Sequence, residues 1–179
     1  MERNKVSQER PRGFIRSEFM IPTIRTYTRH DVPSLRNCVM ALQEYERTID
    51  PRLLEPEDMA DRYLEHVMAR CREANGRIFV AEHNGETVGF VVVLAEERSA
   101  EPDEPPGTYA LVSDLAVLEP WRRQGIGRAL LEQAESFARN AGATEIRVNV
   151  LAGNRSAAKL YEQIGFTPYL MVLSKELSR

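Results

Sequence analysis

The sequence predicts an α/β fold in which a mixed, mostly antiparallel sheet is covered by helices on both faces. Three observations lead there. Apolar residues recur at helical spacing through two early segments, then at strand spacing through three consecutive segments. After a loop, helix and strand patterns alternate to the end of the chain. Neighbouring strands joined by short turns pair antiparallel, and strands separated by a helix are free to pair parallel.

Ile24-Arg25-Thr26-Tyr27 reads as a first strand. Asp31 offers a helix N-cap, and Leu35, Val39 and Leu42 give the buried stripe of the helix that follows. A second helix starts near Pro56. Proline at a first turn loses no hydrogen bond, and Glu57 and Asp58 suit the positive helix end. Its apolar positions are Met59, Tyr63, Val67 and Cys71, and Asn75-Gly76 stops it. Strands follow over Ile78–Ala81 and Val88–Leu94, with Asn84-Gly85 as a two-residue hairpin signal between them.

Glu96 to Gly107 is acidic and proline-rich, hence an exposed loop. Tyr109 to Val117 reads as a long strand. A helix from Gly127 to Asn140 follows, with Leu130, Ala134, Phe137 and Ala138 facing inward. Ile146 to Val150 is expected to be a strand, Ser156 to Gln163 a short helix, and one or two last strands run on from Phe166. Residues 22–179 are read as one domain. Residues 1–21, rich in Arg, Glu, Gln and Ser, are read as a flexible leader that Phe14, Ile15, Phe19 and Met20 could pin in place.

Composition narrows the function classes. A formal charge of −3 gives no footprint for nucleic acid. No apolar run reaches the length of a membrane span, so no membrane partner is expected. The two cysteines, Cys38 and Cys71, sit on predicted helices as apolar filler, and with no signal peptide visible both are read as reduced thiols in a cytoplasmic protein. His30, His66 and His83 are too scattered for a triad or a metal site, and no metal is expected.

The sharpest local feature is Leu115-Ala116-Val117-Leu118-Glu119-Pro120-Trp121-Arg122-Arg123-Gln124-Gly125-Ile126-Gly127-Arg128. A strand enters a turn with two glycines one residue apart, and a helix begins at once. Backbone N–H groups at a helix start, together with the helix dipole, favour an anion. Arg122, Arg123 and Arg128 add positive charge there. The nucleotide-hydrolysing run Gly-x-x-x-x-Gly-Lys-[Ser/Thr] is absent. The dinucleotide run Gly-x-Gly-x-x-Gly fails at Leu130. The residues by themselves thus point to a phosphate site, without naming the molecule that carries the phosphate.

This stretch resembles motif A of the GCN5-related N-acetyltransferase (GNAT) family, Arg/Gln-x-x-Gly-x-Gly/Ala, matched here by Arg122, Gly125 and Gly127. A distant block, Asn154-Arg155-Ser156-Ala157-Ala158-Lys159-Leu160-Tyr161-Glu162-Gln163-Ile164-Gly165-Phe166, is similar to the family's motif B, in which Asn154, Ala157, Tyr161, Gly165 and Phe166 fill the defining positions. Asn154 also suits a helix N-cap. The resemblance implies a GNAT-like sheet with a β-bulge in the fourth strand and central strands splayed to admit acetyl-coenzyme A, the co-substrate.

By the same resemblance, backbone amides from Arg122 to Arg128, with Gln124 and Ile126 among them, hold the pyrophosphate. Leu115, Ala116 and Val117 line the pantetheine, with Leu115 and Val117 offering pairing groups, and Asn154 and Ala157 complete the site. The N–H of Val117 would meet the oxyanion, and Tyr161 would protonate the departing thiolate. Asp114, an acid in an apolar strand, is the candidate base. Glu44, Tyr45 and Asn149 are candidates for the acceptor wall.

The expected reaction is attack of a neutral primary amine on the thioester. From Glu44 to Asp61 there are seven acidic residues against Arg47 and Arg52. With the acidic loop near Glu96 they favour a cationic acceptor: a polyamine, an aminoglycoside, a basic amino acid or a peptide amine. The alternative reading is a non-catalytic acyl-coenzyme A sensor on the same fold. Tyr169-Leu170-Met171-Val172-Leu173 offers an edge through which a homodimer could form.

Overall fold

The computed structural model describes residues 22–99, 102–103 and 107–177. Five strands, β1 (Thr23–Thr26), β2 (Gly76–His83), β3 (Glu86–Glu97), β4 (Tyr109–Val117) and β5 (Ile146–Val148), form one open sheet in chain order. The first four pair antiparallel, and β5 lies parallel to β4. The helices are α1 (Val32–Arg47), α2 (Pro56–Glu73), α3 (Ile126–Asn140) and α4 (Arg155–Gln163). The predicted α/β class and mixed sheet are therefore the observed ones. The expected leader, and residues 100, 101 and 104–106 of the acidic loop, lie outside the described residues.

Two cores explain why helices cover both faces. On one face, Leu35, Cys38 and Val39 of α1 and Ala60, Leu64 and Val67 of α2 pack on Ile78, Val80, Phe90 and Val92. On the other, Leu130, Leu131 and Ala134 of α3 and Tyr161 of α4 pack on Phe79, Val91, Val93 and Val112. β3 is buried over nine consecutive residues because helices sit on both of its sides. The α2 stripe differs in detail from the predicted one. Pro56, Ala60, Leu64 and Val67 are buried, whereas Met59, Tyr63 and Cys71 are only partly so.

Two further differences have clear causes. Asp31 does precede α1, but its carboxylate turns back to accept from Arg25 at 2.7 and 2.8 Å and from the Thr28 amide at 2.7 Å. The strands expected after Phe166 do not form: residues 164–177 carry no helix or strand. A strand needs a paired neighbour, and none is supplied among the described residues.

The sheet breaks its register at three places, at Ala81/Glu82 against β3 and at Val92/Val93 and Leu94/Glu97 against β4, and the second of these shapes the site. Val92 faces Asp114 but Val93 faces Val112, so Ser113 is an extra residue in β4, a β-bulge. Pairing of β4 with β5 ends at the same point, at Val112 opposite Val148. Beyond it β4 continues to Val117 paired with β3 only, and a gap opens between β4 and β5.

Candidate active site

Strand alternation sets the chemistry of that gap. The Leu118 amide donates to Val88 O at 2.9 Å, so Leu118 and, two residues back, Ala116 turn their backbone groups toward β3. Leu115 and Val117 must then turn theirs the other way, into the gap. The Val117 carbonyl, so directed, accepts from Arg122 Nε at 2.8 Å. Opposite Val117 stands Gly89, where a Cβ would lie 2.9 Å from Ala116 O, so only glycine lets β3 approach here.

After β4 a single 3-10 turn, Glu119–Trp121, leads to the glycine turn. Gly125 caps α3 with φ of 84°, a left-handed conformation that costs glycine little. The first helical bond runs from Ala129 N to Gly125 O, so the amides of Ile126, Gly127 and Arg128 precede it and have no helical acceptor. Gly127 is closely approached from α4, a Cβ there lying 3.3 Å from Leu160 Cδ2.

This turn forms one end of a cleft of about 470 Å³. Cys38, Ala41, Leu42 and Tyr45 of α1 line one wall. Leu115 to Leu118 form the floor, and Asn154, Ser156, Ala157, Lys159 and Leu160 line the other wall. Trp121, Arg122, Arg123, Gly125, Gly127 and Arg128 close the turn end. Of the residues expected at this end, Gln124 instead donates its side-chain amide to Pro120 O at 3.1 Å, and Ile126 buries its side chain in the core. Either could therefore face the cleft only through its backbone.

The two walls touch. Tyr45 Oη donates to Asn154 Oδ1 at 3.3 Å, and the same oxygen accepts from Ala157 N at 3.1 Å, capping α4. The Arg122 guanidinium lies over the Tyr45 ring, 5.5 Å from its centroid.

α4 carries Tyr161, which is buried and packs edge-on against Phe166. Burial first, and the charges of Glu46 and Asp114 second, push the Tyr161 phenol up to about 12. It is consequently a protonated donor at neutral pH, and its hydroxyl makes no hydrogen bond among the described residues.

Asp114 is 5% exposed and turned toward α2. Tyr63 Oη donates to its Oδ1 at 2.6 Å and Ser113 Oγ to its Oδ2 at 2.7 Å. Burial raises its carboxyl, with these two hydrogen bonds opposing the rise. Across from it stands Glu46, half-buried in the last turn of α1 and raised by its burial and then by the Asp114 charge.

Glu44 is exposed and lines no part of the cleft, and Asn149 is exposed just beyond the end of β5. Glu46 and Tyr63 escaped the sequence reading as polar site groups, although a signal for Glu46 was present. The stripe Leu35, Val39, Leu42 continues to position 46, which places an acid on a buried helix face. Among the described residues no three His, Cys, Asp or Glu side chains cluster as metal ligands, and no helix is long and apolar enough to cross a membrane.

A mixed sheet parted at a bulge, with a glycine turn at the mouth of the cleft, is the α/β architecture that defines the site. The profile of the acetyltransferase (GNAT) family matches residues 39–166, and the chain belongs to that family. An N-alpha-acetyltransferase of Sulfurisphaera tokodaii is 33% identical over 107 residues, covering 58% of this chain and 62% of that one. An uncharacterized N-acetyltransferase of Bacillus subtilis, YycN, is 37% identical over 78 residues, 44% of this chain and 49% of that one. The chain thus spans between about half and three fifths of the length of these relatives. Among solved structures, the aminoglycoside N-acetyltransferase AAC(6')-Iy in complex with CoA superposes with a TM-score of 0.63 at 14% identity, covering 88% of this chain and 100% of that one, a likeness of fold.

Proposed function

We propose that this chain is an acetyl-CoA-dependent N-acetyltransferase acting on a primary, cationic amine. The observation that carries the reading is the gap opened by the Ser113 bulge. It has outward backbone groups of Leu115 and Val117 along its floor, a phosphate-ready helix start at one end and Tyr161 buried on the helix that forms one wall. The pyrophosphate of coenzyme A would rest on the amides following Arg122. The extended pantetheine would pair with Leu115 and Val117 as an added strand would, its flank covered by Ala116, Asn154 and Ala157.

In this reading the amine nitrogen forms its bond to the thioester carbon, and the Val117 N–H stabilises the oxyanion. Tyr161 gives the departing sulfur a proton. An amine of ordinary basicity arrives as an ammonium ion, so a base must first take one proton. The family resemblance points to the acid in β4, Asp114. The acidic side of the gap, where the Asp114 charge raises Glu46, suits a cation. That some structural neighbours are aminoglycoside N-acetyltransferases is in keeping with this class. The chain is further read as a homodimer, because Tyr169 to Leu173 are 65–84% exposed and apolar without a break.

Calorimetry with acetyl-CoA tests the reading. Wild type should bind, and a folded Gly125→Glu variant, with a carboxylate thrust at the phosphates, should not. Thiol release should then follow addition of cationic amines and not of neutral ones. A folded wild type that fails to bind acetyl-CoA would sink the proposal.

A further inference from the structure

The two carboxylates at the gap differ in what they have free. Both oxygens of Asp114 are taken, by Tyr63 Oη and Ser113 Oγ, and the group is almost wholly buried on the α2 side of β4. The Glu46 carboxylate has no hydrogen bond or ion pair among the described residues. The arginines nearest to it in the chain are committed elsewhere, Arg47 to Glu55 and Arg52 to Asp50.

Helix spacing puts Glu46 beside the cleft wall, next to its lining residues and not one of them. It stands one turn beyond Leu42, which lines the cleft, and next to Tyr45, which spans it to Asn154. It also sits in the last turn of α1, where the helix dipole disfavours a negative charge. A half-buried, unpaired acid at the wrong end of a helix does nothing for the stability of α1.

We propose that Glu46 takes the proton from the acceptor ammonium, while Tyr63 and Ser113 hold Asp114 behind it as a fixed negative charge. This rests on the acetyltransferase reading and assigns the base within it. The Glu46 carboxylate accepts one proton from R–NH3+, and the freed nitrogen lone pair forms the C–N bond. The C–S bond breaks with its electron pair on sulfur, which takes the Tyr161 proton. The second nitrogen proton returns through solvent to Tyr161. Amide and thiol form, and the proton held by Glu46 goes to water.

The groups that face the pair fit these roles. Asp114 and Glu46 each act on Tyr161 of α4 and on Tyr63 of α2, and both raise the two phenols. His66 and Arg70 of α2 act on Asp114 and partly offset its charge. Glu46 feels its own burial and Asp114. Tyr63 is a positioning residue here, since it reaches Asp114 and not the reacting atoms.

The test uses the full chain with Glu46→Gln, Asp114→Asn and Tyr63→Phe, and with kanamycin and spermidine as acceptor probes. Acetyl-CoA binding should survive Glu46→Gln unchanged. In that variant kcat/KM should fall on the order of 100-fold or more and lose its acid limb. In Asp114→Asn and, more weakly, Tyr63→Phe, the limb should remain but move in pH. For Asp114→Asn it should move to lower pH, because the neighbouring negative charge is gone.

Retention of the limb in Glu46→Gln with its loss in Asp114→Asn would overturn the proposal. A carbon-13 titration of the Glu46 carboxyl decides the matter even if neither probe reacts. It should titrate above an ordinary glutamate in wild type and fall back in Asp114→Asn. An ordinary Glu46 in wild type would overturn the inference while leaving the acetyl-CoA reading intact. Failure of wild type to bind acetyl-CoA would remove the reading itself.

Discussion

At the scale of single residues, two ionisable groups give opposite kinds of prediction. Asp31 is 2% exposed and held by Arg25 and Thr28, which together keep its carboxyl well below the usual range, at about 2. Its folded value is depressed, so its stabilisation is present above the unfolded value near 3.8 and is lost as pH falls toward about 2. The shift corresponds to about 2 kcal/mol. Urea unfolding of Asp31→Asn should show a loss of that order at pH 7 that shrinks as pH falls below 4, and a loss that ignores pH would refute the assignment. Tyr161, held protonated by burial and by two nearby acids, should behave differently. Replacing it with Phe should leave the fold and acetyl-CoA affinity intact but lower kcat by ~10²–10⁴-fold. An unchanged kcat would show that the thiolate leaves without its help. Asp31 was legible from sequence only as a helix cap. Its real partner, Arg25, belongs to the adjacent strand, and helical pattern alone carries no information about that contact.

At the scale of elements, helical and strand periods located each α-helix and strand of the described fold within a few residues, and missed the two 3-10 turns at Arg29–Asp31 and Glu119–Trp121. What they could not locate is the bulge. Ser113-Asp114 interrupts the apolar run from Leu111 to Leu115, but a polar pair does not say that one residue is extra, and that is visible only in the register against β3. The family resemblance supplied that expectation, since alternation alone was silent. The faces of 113 to 117 depend on that extra residue: without it, Asp114 and Val117 would each swap sides. α4 offers a cleaner test, because its nine residues carry Tyr161 and its start rests on Asn154. Asn154→Ala removes the acceptor for the Ala157 amide and for Tyr45 Oη. The cap alone should cost about 1 kcal/mol in denaturant unfolding. Acetyl-CoA affinity should also drop, because the two walls of the cleft lose the bond that joins them. A stability loss with unchanged affinity would mean that the wall contact is incidental to the site.

At the scale of the whole molecule, the C-terminal segment is the part that the rest of the chain leaves unexplained. Five apolar residues in succession read as a strand covered on both faces. Yet Leu170 to Leu173 are 79–84% exposed and Leu177 is 85% exposed. The segment passes close to the end of the sheet, where the Arg147 guanidinium lies between the rings of Tyr109 and Tyr169, at 4.0 and 4.3 Å. β5 ends the sheet on that side, so the edge and the apolar run sit together. Two copies related by a two-fold axis satisfy both needs at once, each segment joining the other copy's sheet and covering its own apolar faces. In the proposed dimer, such pairing would give the late strands expected from sequence the neighbour that the described residues of one chain do not supply. Sedimentation should therefore give a particle of twice 20.4 kDa. Leu170→Glu with Val172→Glu should reduce it to a monomer that still binds acetyl-CoA, because the cleft draws on α1, β4, α3 and α4 of one chain. A wild type that sediments as a monomer at micromolar concentration would remove the pairing and leave the apolar run to find its cover in a different partner.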